Sequence, residues 1–243
     1  MTAAKEIVIA FDVYGTLLST ESIAEKLATH FGRDKAQTIS TSWRRYQLEY
    51  TWRLNSMEYY QDFSCLTRQS LLHALAEAQE QLSESELSDL MKAYDSLSAF
   101  PDVKPALKRI AADSSIVPVL FSNGSKKMIS NSVSRSEDLS PHADIFQHLV
   151  TVDDVRCYKP AQATYRHLAH TVGKKPYEMD QIWLISGNPF DVVGARHAGM
   201  NAIWVDRAGH GWQDAAIPEL QPSAIVKSLE QVHDHLKDAT ALH

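Results

Sequence analysis

Apolar positions along the chain fall into two textures. Near the start, Ile7 to Phe11 form a short unbroken run, IVIAF, that ends in the carboxylate of Asp12; Tyr14, Gly15 and Thr16 follow before apolar residues resume. A continuous apolar run stopped by a turn signal predicts a strand buried on both faces of a parallel sheet. From Thr20 to Ala99 strand patterning disappears and Gly32 is the only glycine. Ile23, Leu27 and Phe31 recur at helical spacing, as do Ile39, Trp43, Tyr46 and Tyr50, with Arg44 and Leu48 on a neighbouring face. Two more helices are predicted in SLLHALAEAQEQL and SESELSDLMKAYDSL, the second opened by a capping box from Ser83 to Glu86.

From Phe100 the texture alternates. Strands are predicted at Ile116 to Phe121, His148 to Asp153, Ile182 to Ser186 and in NAIWVD. Between them lie helices in FPDVKPALKRIAA, SKKMISNSV, KPAQATYRHLAHTVG and PFDVVGARHAG, and a last helix is predicted over Pro222 to Leu236. This alternation implies βαβ units and a Rossmann-like parallel sheet with helices on both faces. The expected architecture is an α/β core of residues 1–18 and 99–243, interrupted by a helical cap of residues 19–98.

Composition narrows the setting. The chain has 243 residues with 44% hydrophobic and 22% charged, enough for a sizeable soluble core. A net charge of -6 carries no basic footprint for nucleic acid, so an anionic substrate would need local cations. No apolar run approaches a membrane span. Cys65 and Cys157 are in no metal-like spacing and read as reduced thiols. The N-terminus lacks the plan of a signal peptide. A cytoplasmic protein without nucleic-acid or membrane partners is expected.

Four strand ends carry polar residues that cores avoid. The first ends at Asp12 and the second at Ser122-Asn123; Lys159 follows the third; the fourth ends at Ser186-Gly187-Asn188, with Asp191 one helical turn on. In a parallel sheet these ends converge on one edge, where such folds place ligands. Each has a plain structural account: Asp12 as a turn former, Ser122 as a helix cap, Lys159 as a solvated charge, Asp191 as a first-turn acid favoured by the helix dipole. Their joint occurrence, with one nucleophile-type acid and one lysine, favours chemistry. The pair His233 and His235 reads as surface, and Asp153-Asp154 as a turn.

The set D-x-Y-G-T, S-N-G-S, the lysine of YKP and the acid after S-G-N resembles the haloacid dehalogenase (HAD) superfamily. Within it the chain is similar to the L-2-haloacid dehalogenases (type II), whose cap helix resembles WRRYQLEYTW. Phosphatases of that superfamily carry a second acid two residues after the nucleophile, to protonate an alkoxide leaving group. Halide needs no proton, and Tyr14 stands at that position here. Asn188 stands where metal-dependent members often have an acid, so the resemblance implies neither metal nor other cofactor.

The resemblance implies hydrolysis of short (S)-2-haloacids to (R)-2-hydroxyacids through an ester on Asp12. A HAD-type phosphatase, or another hydrolase acting on a small acid, is the alternative. The implied roles are these. Lys159 supplies the cation beside Asp12, and Asn188 and Asp191 position water, Asp191 acting either as base or as partner to Lys159. Thr16 and Ser186 orient Asp12 and Lys159. Ser122 and backbone N–H groups near Tyr14 bind the substrate carboxylate, while Arg44 and Asn123 cradle the halide. Tyr165 matches a tyrosine of the family site. Leu48, Trp52, Phe63 and Phe190 form apolar walls, though ordinary core packing fits Trp52 as well. Phe190 replaces the tryptophan expected there. Arg44 has a competing account as a solvated arginine, which is how its neighbour Arg45 reads, paired with Glu49 at i+4. The family suggests a homodimer.

Overall fold

A computed structural model describes residues 6–241. Its frame is a wholly parallel sheet ordered β3-β2-β1-β4-β5-β6. The strands are β1 (Ile7–Phe11), β2 (Ile116–Ser122), β3 (Leu149–Thr151), β4 (Ile182–Ser186), β5 (Asn201–Val205) and β6 (Ala224–Val226). The earliest strand is thus central. The chain builds outward from β1 through β2 and β3, then returns to β4 on the other side. That reversal opens a crevice beyond the C-terminal ends of β1 and β4, the place where open α/β sheets bind ligands.

Alternation of side chains explains why β1 is apolar throughout. Ile9 and Phe11 join the core on one face of the sheet, whereas Val8 and Ala10 pack on the other with Leu184, Val192 and Leu168. Each face is covered, so neither set of positions tolerates polar residues.

Between β1 and α5 (Val103–Ala111) lie four helices: α1 (Ile23–Phe31), α2 (Arg33–Ser56), α3 (Phe63–Glu77) and α4 (Glu84–Tyr94). The Ser83–Glu86 capping box forms on α4. The chain leaves and re-enters the sheet region side by side: Leu18 bridges Ala99, and the Ser19 N–H donates to Ser98 O at 2.8 Å. The remaining helices are α6 (Lys126–Arg135), α7 (Gln162–Thr171), α8 (Pro189–His197) and α9 (Val232–Ala241).

Several expectations need correction. The expected last helix is instead strand β6, a tight helical turn and then α9. Ala224-Ile225-Val226 is long enough to pair with β5 at the sheet edge, leaving Ile225 exposed. β3 stops at Thr151 because Val152 to Asp154 curl into a helical turn. Ser125, not Ser122, caps α6. Arg45 pairs with Glu77 of α3 at 3.2 Å, because Glu49 is taken by Arg53. His233 is buried and bonded to Asp113 at 3.0 Å rather than lying on the surface.

Candidate active site

Asp12 is the first residue beyond β1, and its N–H donates to Ile185 O of β4 at 3.0 Å. The chain then turns through Gly15, whose φ of 87° belongs to the left-handed region. A second tight turn, Ser186 to Asn188, leaves β4 beside it. A Cβ at Gly187 would lie 2.5 Å from the Gly15 carbonyl oxygen. Backbone against backbone, the two turns hold the Asn188 amide over the Asp12 carboxylate.

The two oxygens of Asp12 have unequal surroundings. Oδ2 accepts from Thr16 Oγ1 at 2.7 Å and Asn188 Nδ2 at 2.7 Å, with Ser186 Oγ further away at 3.4 Å. Oδ1 accepts from Lys159 Nζ at 3.2 Å. The supporting donors are themselves anchored. Thr16 Oγ1 accepts from the Gly187 N–H at 2.9 Å, and Ser186 Oγ accepts from the Asn188 N–H at 3.0 Å. Arg207 reaches the same turn, donating to Thr16 O at 2.8 Å while forked on Asp102.

Lys159 is 1% exposed, and burying an ammonium demands acceptors for its three protons. Asp12, Asp191 Oδ2 at 2.8 Å and Phe121 O at 2.7 Å provide them. Asn123 fixes the lysine's backbone, its Oδ1 accepting from the Lys159 N–H at 2.9 Å. Asp191 is fully buried, with Oδ1 accepting from Tyr165 OH at 2.8 Å. Burial pushes the Asp191 carboxyl up to about 6; the Lys159 ammonium opposes the rise and the Asp12 charge adds to it. Among the described residues no group of three or more His, Cys, Asp or Glu side chains could hold a metal ion, and the side chain beside Asp12 Oδ2 is the neutral amide of Asn188 rather than a further acid.

The cap helices reach the same edge. Arg44 on α2 is half-buried; its Nη2 makes long contacts to Asn188 Oδ1 at 3.3 Å and Tyr14 O at 3.4 Å. Tyr14 is buried, stacked on Phe63 at 6.0 Å and tilted against Tyr94 at 5.4 Å. Burial raises the Tyr14 phenol, so it cannot serve as an ionised base. Leu48 is half-buried on α2. Phe190 meets Trp52 edge-on at 5.5 Å; Trp52 is 42% exposed, so it packs at the rim rather than in the core. Ser122 is buried at the end of β2, its Oγ accepting from the Gly124 N–H at 3.1 Å. Thus Asp12, Thr16, Asn123, Lys159, Ser186, Asn188 and Asp191 form one connected network with Arg44 above it. Tyr165 is placed behind Asp191.

Some residues at this edge carried no sequence signal. The Asn55 side chain at the end of α2 clamps the Tyr158 backbone on both sides, Nδ2 to O at 2.7 Å and Oδ1 from N–H at 2.8 Å. Tyr158 OH donates to Gln61 O, and Tyr60 OH donates to Asp153 Oδ1 at 2.8 Å. These bonds tie the cap to the segment that carries Lys159. Polar residues near a helix end read as solvated, and only the tertiary fold reveals their partners.

A carboxylate held by a buried lysine at the reversal point of a parallel sheet is placed to meet a ligand in the crevice. A family model described as haloacid dehalogenase-like hydrolase matches residues 8–199, and the chain belongs to that family. It is 32% identical over 235 residues to (S)-2-haloacid dehalogenase H-109 of Pseudomonas putida, covering 95% of this chain and 97% of that one. It is 31% identical to haloacetate dehalogenase H-2 of Moraxella sp. (strain B), covering 85% and 88% of the two chains. Among solved structures, the L-2-haloacid dehalogenase of Xanthobacter autotrophicus with chloropropionic acid covalently bound superposes with a TM-score of 0.81 at 25% identity, covering 96% and 98%.

Proposed function

We propose that the protein hydrolyses short (S)-2-haloacids to (R)-2-hydroxyacids through an ester on Asp12, without a metal. The observation that carries the reading is the asymmetric Asp12 carboxylate, together with tyrosine rather than a second acid at position 14.

Oδ1, with its single long contact, attacks C2 in line; the C–X electron pair leaves with the halide and C2 inverts. Arg44 and Asn123 receive the halide, while Ser122 and N–H groups of the Tyr14 turn hold the substrate carboxylate. Phe63, Leu48 and Phe190 wall the substrate. Water then attacks Cγ of the ester. Negative charge develops on Oδ2, where Thr16, Asn188 and Ser186 already converge, so little reorganisation is needed. Collapse breaks the Cγ–Oδ1 bond, and Oδ1 departs as the hydroxyl oxygen of the product. Lys159 is already a full ammonium, so the Asp191 carboxylate takes one proton from the attacking water and returns it to the departing alkoxide, while the water's second proton is released as Asp12 re-ionises. The hydrogen bonds from Tyr165 and Lys159 to the two Asp191 oxygens hold that carboxylate in place and leave a lone pair on each oxygen.

Residues 1–18 and 99–243 serve as the catalytic core and 19–98 as the cap, a division supported by the adjoining crossings at Leu18–Ala99 and Ser19–Ser98. Among the described residues no helix is long and apolar enough to cross a membrane. We place the enzyme in the cytoplasm as a homodimer; exposed Met57 and Tyr59 just beyond α2 support self-association.

Halide release from L- and D-2-chloropropionate, run beside p-nitrophenyl phosphate hydrolysis, tests the reading. Halide from the L-isomer alone is expected; phosphate release without halide would reverse it.

A further inference from the structure

Arg44 is a long side chain on a cap helix, and an arginine loses about 2 kcal/mol of rotamer freedom when fixed. Something must aim it. One turn along α2 lies Gln47, a neutral polar residue that is 1% exposed. Its Oε1 accepts from Arg44 Nη1 at 2.7 Å and from Tyr94 OH at 3.1 Å. Its Nε2 donates to Thr67 Oγ1 at 2.8 Å, and Thr67 Oγ1 donates to Phe63 O at 2.7 Å.

The direction of this chain is forced. Thr67 has one hydroxyl proton and spends it on Phe63 O, so towards Gln47 it can only accept. Gln47 must therefore present its nitrogen to Thr67 and its oxygen to Arg44. Tyr94 strengthens the arrangement, since burial keeps its phenol protonated and donating. Thr67 is itself fully buried, its carbonyl accepting from Trp43 Nε1 at 2.8 Å. With Nη1 held by Gln47, the fork leaves Nη2 directed at the edge occupied by Asn188 and Tyr14.

We propose that Gln47 is a positioning residue: its amide, polarised by Thr67 and Tyr94, aims Arg44 at the departing halide and so sets how strongly the enzyme discriminates between halides. The inference rests on the dehalogenase reading. Chloride, the poorer leaving group, needs more stabilisation as the carbon–halogen bond breaks than bromide does. Misaiming the guanidinium therefore slows chloride departure more.

The test is single-turnover halide release, enzyme in excess, from L-2-chloropropionate and L-2-bromopropionate. Wild type is compared with Gln47→Leu, Thr67→Val and Thr67→Ser, folding being checked by circular dichroism. Gln47→Leu and Thr67→Val are expected to slow chloride release ~10-fold and to raise the bromide-to-chloride rate ratio at least ~3-fold. Thr67→Ser keeps the hydroxyl and is expected to keep the wild-type ratio. Should Gln47→Leu fail to fold, Thr67→Val decides alone. An unchanged ratio, even with slower release of both halides, makes the chain merely structural and overturns the inference. A wild-type enzyme that releases no halide overturns the dehalogenase reading and this inference with it.

Discussion

Gly187 and Gly15 meet backbone to backbone: a Cβ on Gly187 would stand 2.5 Å from the Gly15 carbonyl oxygen and 3.7 Å from Thr16 Oγ1. The contact lets the turn after β4 present Asn188 to Asp12. Gly187→Ala is expected to push the turns apart, costing about 1–3 kcal/mol of stability through overpacking. Turnover should fall more than tenfold as the Asn188–Asp12 bond lengthens, by roughly the effect of a misplaced catalytic group. Urea unfolding and steady-state halide release measure the two effects; full activity in a destabilised variant would separate the contact from catalysis.

Lys159 compensates two buried carboxylates at once. Lys159→Met removes the cation and leaves Asp12 facing Asp191, so a stability loss of about 3–5 kcal/mol is expected. Activity should be abolished. Lys159→Arg should not restore it, because a planar fork cannot reproduce three contacts made by one point charge. Recovery with arginine would show that charge alone suffices.

The Asp191 carboxyl, raised from 3.8 to about 6, makes a signed prediction. A folded-state value above the unfolded one means the native state binds the extra proton between those limits. This group's contribution to stability therefore falls as pH rises from about 4 to about 6, and its penalty is fully present above that. Relative to Asp191→Asn, wild type should lose stability across that interval. Activity should fall on the acid side of about 6, as protonation removes the partner of Lys159. A wild-type-minus-variant difference that is flat across the interval would contradict the assignment.

The Asn55 clamp on Tyr158 fastens the cap to the segment carrying Lys159. Asn55→Ala leaves two backbone groups of Tyr158 without these partners, an expected loss of about 1–3 kcal/mol. Hydrogen exchange at residues 158 and 159 should rise, and turnover should fall with little change in KM. Unchanged exchange there would remove the clamp from the account.

What could be read from the chain followed from burial. Asp12, Ser122, Lys159, Ser186, Asn188 and Asp191 stand out because a parallel sheet excludes polar residues until its strands end. Arg44 could be separated from Arg45 only by resemblance, since both occupy a helix whose outer face is charged. Gln47, Thr67 and Asn55 were illegible: a polar residue inside an amphipathic helix looks solvated until its partner, 20 residues away for Gln47 and 103 for Asn55, is known. β6 escaped because three apolar residues at a sheet edge carry too little periodicity to distinguish strand from helix.

An ester on Asp12 requires that the Asp12 carboxylate, and not water, displaces the halide. A single turnover of L-2-chloropropionate in ¹⁸O-water, with enzyme in excess, tests it by mass spectrometry of the Asp12 peptide and of the product. The heavy oxygen is expected to enter Asp12 and the first-turnover 2-hydroxy acid to carry none, because its hydroxyl oxygen is the former Oδ1. Label in that product with an unlabelled Asp12 would mean direct attack by water and would contradict the ester on Asp12.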